Sequence, residues 1–142
     1  MVRKNRVPKE YQMKFIVLLG RIFYSAIFLL SCPKHFTQPL IDFAASQGTP
    51  FASIVVPLSG LIGILGALSI LLGYKAKLGA WLIVIFLVPI TLVIHKFWAY
   101  SDPNMANLQL IMFMKNLSML GGALLITHFG SGPLSLDKKK KK

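Results

Sequence analysis

Four long apolar runs dominate the chain, at 15–32, 51–73, 76–95 and 108–127, separated by links of different character. Each run is close to the roughly 20 residues that a helix needs to cross about 30 Å of hydrocarbon. The apolar positions are continuous, which excludes the two-residue alternation of a membrane β-barrel. Backbone polar groups in lipid must be satisfied within their own segment, so each run is predicted to be a helix. The pattern therefore predicts an all-α, polytopic membrane protein: a four-transmembrane-helix bundle. Three segments follow from it, namely a basic N-terminal segment (1–14), a transmembrane domain (15–129) and a poly-Lys tail (130–142).

Composition agrees with lipid as the solvent. The 142 residues are 55% hydrophobic and 14% charged, with a mean hydropathy of +0.66, against about a quarter charged in soluble domains. The first run follows a basic stretch, and "LLSC" (residues 29–32) loosely resembles a bacterial lipobox. Arg21 interrupts the run as a signal h-region would not, and three more spans follow, so a retained helix is expected.

Charge placement orients the bundle. Of 16 Lys and Arg, Arg3, Lys4, Arg6, Lys9 and Lys14 lie at the start, five Lys form the tail at 138–142, and Lys75 and Lys77 occupy the shortest link. The other two links hold one Lys and one Asp each: Lys34 with Asp42, and Lys96 with Asp102. Basic loops stay on the cytoplasmic side, which predicts both termini and the 74–78 turn inside, in a bacterial cytoplasmic (inner) membrane. The net charge of +12 flanks spans and accompanies no helix-turn-helix, finger or RNA-binding signature, so nucleic acid is not an expected partner. The lipid bilayer is, with anionic lipid at the basic termini.

Between the first two spans, residues 39–46 predict a short amphipathic helix with Leu40, Ile41, Phe43 and Ala44 toward the membrane or the bundle. Trp98 and Tyr100 are expected at an interface, as in aromatic belts. Ser59, Gly63 and Ala67 recur every four residues, and Gly60, Gly63 and Gly66 every three, which lets helices approach closely in lipid. Arg21, Ser25 and Cys32 form a stripe on the first span, and Pro89 interrupts the third before Thr91 and His95.

Candidate chemistry centres on Lys115. It falls about 10 Å into the last run at 1.5 Å per residue and shares a face with Ser118 and Gly122, so it is expected to point inward. No Asp or Glu lies in any run, because Glu10, Asp42, Asp102 and Asp137 are all outside. An intramembrane charge marks a functional site by default, while snorkelling to an interface is the alternative. Lys115 is thus a candidate ligand for an anionic or quinone-like guest or a structural hydrogen-bond donor, and Arg21 is the next candidate. One cysteine excludes an internal disulfide or Cys-x-x-Cys pair. His35 and His95 could bracket a haem or simply lie at the interface. No phosphate loop, zinc spacing or catalytic triad appears.

"MKNLSMLGGALLI" followed by "GPLSLD" resembles the closing signature of the DoxX family of small membrane proteins, with "LGRIF", "GALSILLGY" and "HKFW" as further matches. The resemblance spans about 120 residues, from Lys14 to Asp137. It departs where many relatives carry a Glu and this chain has Gly63, and at Cys32 and Pro33. It implies a membrane component of a redox or quinone-linked system, oxidative-stress or sulfur-related, at most a subunit of a membrane oxidoreductase. It adds Asn116 and His95 to Lys115 and Arg21 as ligand-binding candidates, a quinone as a compatible cofactor, a redox partner protein, and room for a homo-oligomer. The alternative reading is a non-catalytic membrane anchor or assembly factor for a partner protein. A small-molecule or anion carrier is a third, disfavoured by the short pathway that four spans offer.

Overall fold

In a computed structural model, residues 9–137 are described, with side chains from Met13 onward. The basic residues before Lys9 and the lysines at 138–142 lie outside the described residues. Five helices follow in order: α1 (Lys9–Ser31), α2 (Gln38–Ser46), α3 (Ala52–Leu72), α4 (Ala76–Val93) and α5 (Pro103–Phe129). A 3-10 segment, Cys32–Phe36, extends α1, and another, Phe97–Ala99, follows α4. The described residues contain no strand, and four of the helical stretches are long and apolar enough to span a membrane. The chain is a multi-pass membrane protein in contact with the bilayer. The last span begins at Pro103, five residues before the apolar run, because Asp102 caps it: its carboxylate accepts from Asn104 N at 3.2 Å and Met105 N at 3.4 Å, with Pro103 in the first turn.

α3 is the hub, packing on α1 and α4, while α4 packs on α5. Its small-residue face is what makes this possible. Val56, Gly60, Gly63, Gly66, Ala67 and Ile70 are buried along it. An added Cβ at Gly63 would meet Cys32 Sγ at 2.5 Å, and one at Gly66 the Gly79 carbonyl oxygen of α4 at 2.9 Å. The core between them holds Phe28, Cys32, Ala67, Ile70, Ala80, Ile83, Phe86, Leu87 and Ala123. α1 and α5 lie apart at the backbone level, and Tyr24 bridges them. Its hydroxyl donates to the Met119 carbonyl at 2.7 Å, and its ring fills the space that a side chain at Gly122 would take.

The two ends of the bundle differ. At one end the α3–α4 turn (73–75) is closed by the chain's own C-terminal segment. At the other, α2 lies as a roof, with Ala44 packed on Ala52 and Val56 of α3. Lys96 Nζ donates to the Gln47 carbonyl at 2.9 Å and Tyr100 Oη to Gln47 Oε1 at 3.3 Å, tying the α4–α5 link to the end of α2.

Candidate functional site

Three places carry the chemistry: the roofed end, the turn end and the outer face of α5. At the roofed end a cavity of about 550 Å³ opens between α3 and α4 beneath α2. Leu40, Phe43 and Ala44 form its ceiling, and Val56, Ile62, Phe86 and Ile90 its wall. His35 and His95 both line it, contributed from the two links that flank α2 and α5. His35 Nδ1 lies 2.9 Å from Ser59 Oγ and 3.3 Å from the Val56 carbonyl. Its ring lies tilted by 44° against Phe86, centroids 5.5 Å apart, and its Cβ occupies the place that a Gly60 side chain would need, 2.6 Å away. His95 Nδ1 is 2.9 Å from Oε1 of the buried Gln109.

At the turn end, α3 stops in a Schellman arrangement: Gly73 N donates to Ile70 O at 3.1 Å and Tyr74 N to Ser69 O at 3.0 Å, with Gly73 at φ +64°. The C-terminal segment then lies across this turn. Leu136 N donates to Leu72 O at 3.1 Å and Asp137 N to Gly73 O at 2.6 Å. The Asp137 carboxylate accepts from Lys75 N at 2.7 Å, Ala76 N at 3.3 Å and Ser131 Oγ at 3.1 Å. An acidic group is thereby placed at the positive end of α4. Arg21, buried within α1, donates through Nη2 to the Leu134 carbonyl. Its Nε and Nη1 have no hydrogen-bond partner, and neither does Ser25 Oγ one turn further on. Asp137 is the acidic group that interacts electrostatically with Arg21.

Lys115 corrects the sequence expectation. It and Ser118 are exposed on the outside of α5, whereas Asn116, one position on, is the buried residue. Lys115 Nζ contacts Met112 Sδ at 3.3 Å, one turn nearer the roofed end, as side chains on a helix lean toward its N-terminus. The physical reason is the separation of α1 from α5. Gly122 meets Tyr24, whereas Lys115, two turns nearer the roofed end, is left exposed. The four sequence candidates are therefore dispersed: Arg21 at the turn end, His95 in the cavity, Asn116 buried on α5 and Lys115 outside. From sequence His35 reads only as a candidate haem ligand with His95 or as an interfacial residue, and Ser59 and Gln109 are not singled out as site residues. Their pairing depends on contacts across 14 to 24 residues of chain, and only the small-residue spacing of α3 hinted at a close approach there. Among the described residues, no group of three His, Cys, Asp or Glu is arranged to hold a metal ion.

A four-span helical membrane bundle with one roofed end is the class that fold and site define. The SURF4 family model matches residues 6–142, and the chain belongs to the SURF4 family. It is 33% identical over 81 residues to the ER-derived vesicles protein ERV29 of Saccharomyces cerevisiae, an alignment covering 57% of this chain and 26% of that one. It is 31% identical over 131 residues to the Surfeit locus protein 4 homolog of Drosophila melanogaster, covering 90% of this chain and 42% of the relative. The inner membrane protein YphA of Escherichia coli is 27% identical over 130 residues, covering 87% and 89%. The chain thus spans less than half of these two eukaryotic relatives and most of YphA. No solved structure matches.

These relationships overturn the DoxX resemblance, and with it the redox or quinone-linked function and the oxidoreductase-subunit role that it implied. The motifs behind it have local causes in this fold. The glycines of "GALSILLGY" serve α3–α4 packing and the end of α3, and the final Asp of "GPLSLD" caps α4. Packing and capping needs of this kind recur in small membrane bundles, so these residues do not specify a family.

Proposed function

We propose that the protein is a non-catalytic membrane anchor or assembly factor that holds a partner protein through the outer face of α5. The observation that carries this reading is the exposed Lys115 in the middle of α5. The residue lies about 18 Å from Pro103 at 1.5 Å per residue, and its ammonium is set against a thioether, a weak acceptor. A charge at such depth costs about 2.5–3.5 kcal/mol on insertion scales. Beside it Ser118 is exposed and Gly121 has open space around its Cβ position, which suits close approach of another helix. α5 is also the least buried of the four spans. No span of this chain contains Asp or Glu, so a second copy would bring no carboxylate to Lys115. The fitting partner is a different membrane helix with an acidic residue at matching depth. Family membership supports a partner-dependent role, and ERV29's name associates that relative with ER-derived vesicles.

The test is a photo-crosslinking residue at Gly121 in native membranes. A discrete protein adduct is expected, retained by Lys115→Arg, reduced several-fold by Lys115→Met and abolished by Lys115→Glu. An adduct indifferent to all three substitutions, or one containing a second copy of this chain, would defeat the reading.

The orientation belongs to the same proposal: the roofed end faces away from the cytoplasm, with the Lys75–Lys77 turn on the cytoplasmic side. Reporter fusions at Gln38 and Asn104 are expected to read outside, and one at Lys75 inside. The reverse pattern would refute this placement.

A further inference from the structure

Four polar side chains, His35, Thr49, Ser59 and His95, interrupt the apolar lining of the cavity beneath α2, and the hydrogen bonds of the two histidines dictate what those rings offer a guest. Ser59 Oγ lies 2.7 Å from the Val56 carbonyl and donates to it. That carbonyl can only accept, so the ring nitrogen lying near both Ser59 Oγ and Val56 O must carry its proton: His35 Nδ1–H is the donor. In the neutral imidazole this leaves Nε2 as an acceptor. The ring cannot easily turn over, since Phe86 and the Gly60 backbone hold it. His95 follows the same rule, with Nδ1 against Gln109 Oε1 and Nε2 left as the acceptor. The two imidazoles therefore present acceptors, and a head group that meets them must donate.

Its mouth identifies the route of entry. Val55, Leu58 and Ile85 line the cavity and are also exposed on the outward sides of α3 and α4, within the apolar length of both spans. A guest enters sideways from the bilayer rather than from water. The volume of about 550 Å³ falls within the roughly 300–1,000 Å³ usual for small-molecule sites.

We propose that this cavity is a lipid site, taking a single-chain lipid whose head donates a hydrogen bond to His35, as a long-chain alcohol or monoacylglycerol does. The chain lies against Ile62, Phe86 and Ile90, and the hydroxyl points to Nε2. An acceptor-only head, such as an ester or an oxidised quinone, leaves the imidazole nitrogen unpaired in an apolar surrounding. The site is separate from the α5 face, so its fate does not decide the partner reading.

The experiment uses the full chain in nanodiscs, with hexadecanol and hexadecyl methyl ether as probes of equal chain length, read by native mass spectrometry and thermal stabilisation. Hexadecanol is expected to bind about tenfold or more tightly than the ether, the size expected when a buried acceptor loses its donor. His35→Phe keeps the ring and its apolar contacts, and is expected to bind both probes equally. Ile85→Trp narrows the mouth and is expected to reduce binding of both. Equal affinity of the wild type for alcohol and ether overturns the proposal, and that comparison stands even where a variant fails to fold. Hexadecanol binding that survives Ile85→Trp unchanged, or stabilisation by an amphipathic peptide where neither lipid acts, overturns it as well.

Discussion

Gly79→Val is expected to destabilise the bundle by about 3 kcal/mol or more, at the upper end of overpacking effects. A Cβ at Gly79 would lie 2.5 Å from both Cβ and Oγ of Ser69 and 2.9 Å from the Gly66 carbonyl. The contact is reciprocal, because a Cβ at Gly66 would lie 2.9 Å from the Gly79 carbonyl. Two backbones face each other here, and neither has a flexible side chain that could move aside. Ser69 cannot yield freely either: its hydroxyl donates to the Tyr74 carbonyl at 2.6 Å and lies 3.1 Å from that of Lys75, securing the turn into α4. α3 and α4 would have to separate, and the core built on Ala67, Ile70, Ala80 and Ile83 would open with them. Gly79→Ala is expected to lose about 1–3 kcal/mol for the same reason. Gly20→Ala, at a glycine with nothing near its Cβ position, serves as the control and is expected to change stability little. The measurement is thermal unfolding in one detergent. Equal stability of Gly79→Val and wild type would mean that α3 and α4 are not in backbone contact.

The spans were legible because hydrocarbon thickness fixes their length and lipid forbids any backbone that does not bond to itself. The packing face of α3 was legible too, since glycines at three- and four-residue spacing leave few other uses. α5 was not. It is apolar on nearly every side, so its sequence does not say which side faces the bundle. The shared stripe of Lys115, Ser118 and Gly122 pointed inward only on the assumption that small residues mark the bundle-facing side of a span. In the fold, Tyr24 spans the gap between α1 and α5 at a single level. The cavity was hidden for another reason: it is assembled from the connections. A short amphipathic helix over 39–46 was readable, and α2 covers Gln38–Ser46. That it roofs a space holding His35 and His95 depends on how the links fold back, which hydropathy does not encode. The role of Asp137 was likewise visible only as a letter in a motif until the turn that it caps was in place.

Asp137→Ala is the complementary expectation, at the other end of the molecule. Three donors converge on this carboxylate: Lys75 N, Ala76 N and Ser131 Oγ. Losing a side-chain cap at a helix start costs about 0.5–2 kcal/mol. Arg21 adds to this, for it is buried, bonds through Nη2 to Leu134 O, and interacts electrostatically with Asp137. Asp137 is only half-buried, so its attraction for the buried Arg21 adds at the modest end for charge pairs. The combined loss is expected to be about 1–3 kcal/mol. It should also release the C-terminal segment from Leu72 and Gly73, so that proteolysis at 132–136 becomes fast while the spans stay protected. Asp137→Asn should lie between, since its amide oxygen still accepts but carries no charge for Arg21 or for the α4 terminus. The decisive comparison is the double variant Arg21→Met with Asp137→Ala. With the buried cation gone, removing Asp137 is expected to cost only its cap, so the two substitutions together should destabilise less than the sum of each alone. Strict additivity would show that Arg21 and Asp137 act independently and that the C-terminal segment is held by its backbone bonds alone.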